Sequence, residues 1–401
     1  MTGISQFASG VFLYDAVRSP KARVRKQGSS LADVPAHDLL GQLFTAVQAR
    51  GLDPDSVGDI LIGTSTAVGD QGGNIARAAA LWAGWSDDVS AGVVSRLCCS
   101  GLDAVETGAA KVASGIADIV VTGGVESMSR VPMMADRPSF ALDDTLGGRT
   151  GYVAIGVSAD LTAAQYGFTR TDLDTAAVTS HQRALAAPAS DSIVPIRVGD
   201  ESVFAVDEGP RQGIDLAGLA ELKPLFGEDP SWERVAHRLP DAVRPDSGLH
   251  TAATAPAPAD GAAVAVLGTK SAAQRIGREP IAEVIGVAQA AVRSPLLTAP
   301  VVAARCALAN AGITAAQLDV VEANESFAAS VLLVTRELGL DPAKVNPLGG
   351  SMATGHPLGA GGGVLLVNAL DQLRRIDGEH ALITIPAALG LGAAVVVRRL
   401  R

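Results

Sequence analysis

The sequence predicts a layered α/β protein, and three observations carry that expectation. Short β-branched runs alternate with Ala-rich helical patterns along much of the chain. Two strand–helix units far apart in the sequence look like copies of one another. Between them lies a stretch of different composition. Alternating strand and helix signals point to packed α/β layers. Self-similarity on this scale points to duplication of one unit.

The strand candidates are Ile60–Ile62, Gly92–Ser95, Ile119–Thr122, Val264–Leu267, Ile281–Val287, Val320–Glu322, Ala381–Ile385 and Ala394–Val397. Helical patterns lie between many of them, including Leu39–Arg50 and Val301–Ala311. AVQARGLDPDSVGDILIGT (Ala46–Thr64) matches ALANAGITAAQLDVVEAN (Ala307–Asn324) in kind: a helix end, a Gly, a polar turn and an apolar strand. A second correspondence involves reactive residues. Cys98 opens the helical pattern Leu102, Val105, Ala109, Val112, which leads to the strand ADIVVTGG. His356 precedes the pattern Val364, Leu365, Leu370, Leu373, which leads to ALITI. The section Met128–His250 is richer in Asp, Arg, Ser and Pro and reads as an insertion. The expected division is residues 1–127 with 251–279 as one half, 128–250 as the insertion and 280–401 as the other half.

Bulk properties narrow the function. A chain of 401 residues exceeds one ordinary core. With 48% apolar and 18% charged residues it is globular. At 3% aromatics, its cores must be built from Ala, Val, Leu and Ile. A net charge of -10 argues against nucleic acid or an anionic membrane as the main partner. A local Arg or helix N-terminus can still hold a phosphate. The three cysteines, Cys98, Cys99 and Cys306, fit a reducing compartment and lack zinc-type spacing. MTGISQFASG does not read as a signal peptide, and no run reaches the ~18 apolar residues of a membrane span. The expectation is a cytoplasmic protein with no metal and no membrane span.

Three constellations carry chemistry. In SRLCCSG (Ser95–Gly101) a strand leads into Cys98 and then a helix. A Cys at a helix N-terminus feels the positive end of the dipole, which favours thiolate. The bland alternative, a small buried hydrophobe, is kept for Cys99. In GGSMATGHPLGAGG (Gly349–Gly362) a Gly-dense loop holds His356, which can activate a nearby thiol. In NESF (Asn324–Phe327) a carboxamide at a strand end can hold a water or an oxyanion, or simply cap a turn.

These motifs, with GGVESMSRVP (Gly123–Pro132), stand in the order and at the spacing of thiolases, and the resemblance spans nearly the whole chain. GDQGGNIARAA (Gly69–Ala79) and GGVESMSRVP look most like the β-subunit branch of fatty-acid-oxidation thiolases. The resemblance implies duplicated halves in an α-β-α-β-α architecture and an inserted loop domain that binds CoA. It makes Cys98 the acylated nucleophile and His356 its base, with Asn324 holding a water in the first oxyanion hole. It places Arg211 at the CoA nucleotide and Phe327 and Ile155 along the pantetheine and acyl pocket. CoA would be a substrate and no cofactor would be tightly bound. It also implies a homodimer or homotetramer, with a hydratase/dehydrogenase subunit as a possible partner.

Two segments depart from the family. ALITIPAALGLGAA puts Pro386 where thiolases keep a second catalytic Cys, and Ala388 where they keep a Gly of the second oxyanion hole. Proline has neither an acidic side chain nor a backbone N–H. In TAATAPAPADGAA, Ala253, Thr254 and Pro256 stand where the family has Gly, Asn and a CoA-facing Ser. The sequence therefore leaves three readings: a working thiolase, an acyl-enzyme that performs transfer, hydrolysis or decarboxylative condensation, and an acyl-CoA-binding paralogue without turnover.

Overall fold

The structure is a computed structural model, and it describes all residues except 1–6, 8, 9, 201 and 294. The segment read above for a signal peptide falls mostly outside the described residues. The strands are β1 (Val11–Arg18), β2 (Ala22–Arg23), β3 (Asp59–Gly63), β4 (Ser90–Val94), β5 (Ile119–Ser127), β6 (Ile196–Val198), β7 (Ser202–Phe204), β8 (Ala259–Gly268), β9 (Ala282–Ala291), β10 (Val320–Ala323), β11 (His380–Ala387) and β12 (Leu391–Arg399). The helices of ten or more residues are α1 (Ala36–Ala49), α2 (Ser100–Ala113), α3 (Ile155–Gln165), α4 (Arg170–Ala186), α5 (Ala299–Ala311), α6 (Ala328–Glu337) and α7 (Gly361–Arg375).

The main sheet runs β10-β11-β12-β9-β1-β8-β5-β3-β4, with β2 beside β8, and β6 and β7 form a separate hairpin. Its two halves repeat. Outward from the β1–β9 pair, β1, β8, β5 and β3 make two antiparallel steps and one parallel step. β9, β12, β11 and β10 do the same. β4 then pairs parallel with β3, and a single parallel bridge between Val321 and Val345 takes the corresponding place beside β10. The duplication expected from the sequence is therefore present in the topology.

Side-chain alternation makes the layers. Ala263, Ala265 and Leu267 of β8 join a core with α2 and α7, whereas Ala262, Val264 and Val266 join one with α1. In the other half Ala393, Val395 and Val397 of β12 face the same central core, and Ala394 and Val396 face α5. Strands apolar on both faces are what two-sided burial requires. The order is helices, sheet, the α2–α7 pair, sheet, helices. The segment between β5 and β8 carries α3, α4 and the β6–β7 hairpin.

The proposed strands and helices all appear, mostly with longer strands. β1 is the omission. VFLYDAVR carries Asp15 and Arg18, which look like loop residues. Both are buried and paired: Asp15 with Arg50 and Arg278, and Arg18 with Asp207 at 2.8 Å. Partners distant in sequence make these charges tolerable inside.

The central helices touch through glycine. A Cβ on Gly101 would stand 2.6 Å from the backbone oxygen of Gly359, which cannot yield as a flexible side chain would. Gly101→Ala should therefore destabilise the fold by about 1–3 kcal/mol through overpacking. The helix-propensity gain of about 1 kcal/mol does not offset this. Denaturant unfolding checks it; a variant as stable as the parent would remove the close-approach argument.

Candidate active site

The loops entering α2 and α7 carry Cys98 and His356, so the glycine contact brings the two loops together. Cys98 sits two residues before α2. Leu97 has a left-handed backbone, φ 52°, a conformation that costs a non-Gly residue of order 1–3 kcal/mol. Ser100 holds this turn, its Oγ accepting from the Arg96 N–H at 2.8 Å and donating to the Leu97 carbonyl at 2.6 Å.

The expectation that the helix end makes Cys98 a thiolate is not met. Burial pushes its pKa up to about 12, and the Glu126 carboxylate acts in the same direction. A dipole worth about half a charge is weaker than the desolvation of a fully buried anion. Cys99 packs in the central core and donates its S–H to the Ile385 carbonyl at 3.4 Å, in keeping with a structural role.

The backbone N–H of His356 donates to the Ala257 carbonyl at 2.9 Å. Burial pushes its pKa down to about 3, helped by the Lys21 ammonium. Lys21 is itself buried and donates to Thr354 Oγ1, two residues before His356. Asn324 Nδ2 lies 3.4 Å from His356 Nε2 and donates to Ser326 Oγ at 2.7 Å, while its Oδ1 accepts from Ser351 Oγ at 2.9 Å. With Asn324 as donor, Nε2 is the acceptor and the ring proton sits on Nδ1.

Cys98 and His356 line one cleft of about 390 Å³, together with Ile155, Pro256, Ser326, Phe327 and Ala388. Phe327 is set by edge contacts with Phe226 and His250, their ring centroids 5.7 and 5.3 Å away. His250 is in turn held by Asp160 of α3 at 2.7 Å. Arg211 is not brought to this cleft. It is exposed, lies beside Arg23 and Arg25, and its backbone N–H donates to His181 Nδ1. Pro386 is buried in β11 opposite Gly392 and does not line the cleft, whereas Ala388 does.

Sequence reasoning missed Glu126 and Lys21. Glu126 accepts from the N–H groups of Ser65 at 2.8 Å, Thr66 at 3.2 Å and Gly359 at 2.7 Å, and from Gln71 Nε2 at 2.6 Å. It ties the loop after β3 to the loop of His356. A lone carboxylate in the apolar strand IVVTGGVES was the available signal. Lys21 left none, because its neighbours are distant in sequence.

Comparison with known proteins agrees with this geometry. A family model described as the thiolase N-terminal domain matches residues 11–271, and one described as the thiolase C-terminal domain matches residues 278–399. The chain belongs to the thiolase family. Among its thiolase relatives, a β-ketoadipyl-CoA thiolase of Pseudomonas knackmussii is 36% identical over 97% of this chain and 99% of its own length. The β-ketothiolase BktB of Cupriavidus necator is 34% identical over 93% and 95%. The crystal structure of the Bacillus anthracis acetyl-CoA acetyltransferase superposes with a TM-score of 0.84 at 32% identity, covering 99% of this chain and 100% of that one. By family this thiolase is an acyltransferase, with the duplicated fold expected of it. None of these three is named for fatty-acid oxidation, the branch the sequence motifs placed nearest.

With its pKa pushed down to about 3, His356 stays neutral and able to accept a proton across the ordinary working range. If Cys98 takes an acyl group with His356 as its base, that step should therefore show no acid limb near about 6.5, the usual imidazole value. His356→Ala should slow it by ~10²–10⁴. A pH–rate profile of Cys98 acylation checks both; loss of rate through about pH 6.5 would overturn the assignment of a buried neutral base.

Proposed function

We propose that this thiolase moves acyl groups between CoA esters through a thioester on Cys98. The reaction would be cleavage of a 3-ketoacyl-CoA by CoA or the reverse Claisen condensation. The observation that carries the reading is the meeting of Cys98 and His356 on one cleft, with Asn324 against His356 Nε2. The thiol attacks the carbonyl carbon as His356 Nε2 takes its proton. The tetrahedral oxyanion forms beside the Asn324–Ser326 pair. Its collapse breaks the C–C bond, leaves the acyl group on sulfur and releases the acetyl-CoA enolate, which needs a proton. Fresh CoA then displaces the acyl group.

Ile155, Phe327 and Ala388 would face the CoA arm and the acyl group, and Arg211 the nucleotide. CoA acts as substrate. β4 ends the sheet with one edge unpaired among the described residues, and such an edge suits a second copy of the chain. We therefore favour a cytoplasmic homodimer or homotetramer. Incubation with a 3-ketoacyl-CoA should leave an acyl mass on Cys98 that is absent in Cys98→Ser. If no adduct forms with any chain length, the thioester is not part of the chemistry.

Pro386 favours a second reading. It stands where the family protonates the enolate, and it has no proton to give. The acyl-enzyme would then serve transfer, hydrolysis or decarboxylative condensation, in which loss of CO₂ supplies the carbanion. Position 386 follows the Ile385 carbonyl that accepts from Cys99, so a thiol there would adjoin the Cys98 turn. Pro386→Cys should raise thiolysis by ~10²–10⁴ while leaving the acylation rate of Cys98 within about threefold. Steady-state thiolysis and single-turnover acylation read the two separately. Thiolysis unchanged by the substitution would return proton transfer to another group.

A further inference from the structure

We infer that the cleft is built for an uncharged, apolar acyl group longer than acetyl, and that it rejects acyl groups ending in a second carboxylate. The inference rests on the acyl-transfer reading and names its substrate class. One wall of the cleft comes from the segment after β5 and carries Met128, Met133, Met134, Phe140 and Tyr152. Methionine side chains are apolar and adaptable, and so conform to methylenes of varied length. An acetyl group would make little use of such a wall.

The charge of the lining decides the rest. Apart from Cys98 and His356, its ionisable side chains are Asp136 and Tyr152. Among the described residues that line it, none is Lys or Arg. His356 cannot substitute as a cation, because its burial and the neighbouring Lys21 keep it neutral. A terminal carboxylate entering the apolar part of the cleft would leave water without a counter-charge, and Asp136, exposed at its rim, supplies none. An unpaired charge in an apolar site is strongly disfavoured. The β-ketoadipyl-CoA named for the Pseudomonas knackmussii relative carries such a carboxylate. Overall similarity to that protein thus does not carry its substrate into this cleft.

The test is single-turnover acylation of the unmodified protein by acetyl-CoA, hexanoyl-CoA and adipyl-CoA, read as the mass added to Cys98. Hexanoyl and adipyl chains have the same length and differ at the terminal carboxylate, and acylation does not involve the C–C bond step that Pro386 puts in question. Hexanoyl-CoA should react ~10²-fold faster than adipyl-CoA. It should also react at least ~10-fold faster than acetyl-CoA. Adipyl-CoA within about threefold of hexanoyl-CoA, or acetyl-CoA fastest of the three, would overturn the substrate class while leaving the thioester intact. Absence of any adduct from all three would sink the acyl-transfer reading itself.

Discussion

The site depends on one buried carboxylate. Glu126 takes hydrogen bonds from the loop after β3 and from Gly359 in the loop of His356, and the Cys98 turn reaches the same β3 loop through Ser100 Oγ, which donates to the Thr64 carbonyl at 3.3 Å. Burial raises its pKa, and the donors around it oppose that rise. The glycines at 101, 124 and 359 make the same junction possible from the steric side, since a Cβ on any of them would collide with backbone or with Glu126. Geometry and electrostatics meet in this group. Burial keeps the Cys98 thiol protonated, and the charge that holds the loops acts in the same direction.

A resting site of neutral thiol and neutral imidazole follows. Burial drives both groups toward their uncharged forms, and the flanking charges, Glu126 toward the thiol and Lys21 toward the imidazole, push the same way. An ion pair between them would have to overcome desolvation of both partners. In the proposed reaction proton transfer would therefore be coupled to attack on a carbonyl, when the developing oxyanion gives the charge somewhere to go. Asn324, donating to Nε2, keeps the ring proton on Nδ1, and that bond would have to yield for Nε2 to take a proton from the thiol.

Much of this was legible in the sequence. The strands apolar on both faces were readable because two-sided burial writes continuous hydrophobic runs. Cys98 and His356 were readable because Gly and small residues surround them, and Asn324 because it ends a strand. What escaped reading was set by contacts distant along the chain. β1 was hidden by Asp15 and Arg18, whose partners lie as far away as Arg278 and Asp207. Lys21 and Glu126 look like surface charges until the fold buries them. The thiolate expected of Cys98 failed for a related reason. A helix N-terminus is a local feature, and depth of burial is not.

Pro386 shows how separable the two halves of the chemistry are. Parallel pairing of β11 with β10 ends at Thr384, so Pro386 lies where β11 has a strand on one side only. A missing N–H is tolerated at such a place, and nothing in the sheet demands a thiol there. Among the described residues, Cys98, His356 and Asn324 share no hydrogen bond with Pro386. Their contacts run through Asn324, Ser326, Ser351 and the loop of His356. On the proposed chemistry, a chain without a proton donor at position 386 would still acylate Cys98 undisturbed. Packing would then constrain the first half-reaction, and the second would be left to whatever can reach the cleft with a proton.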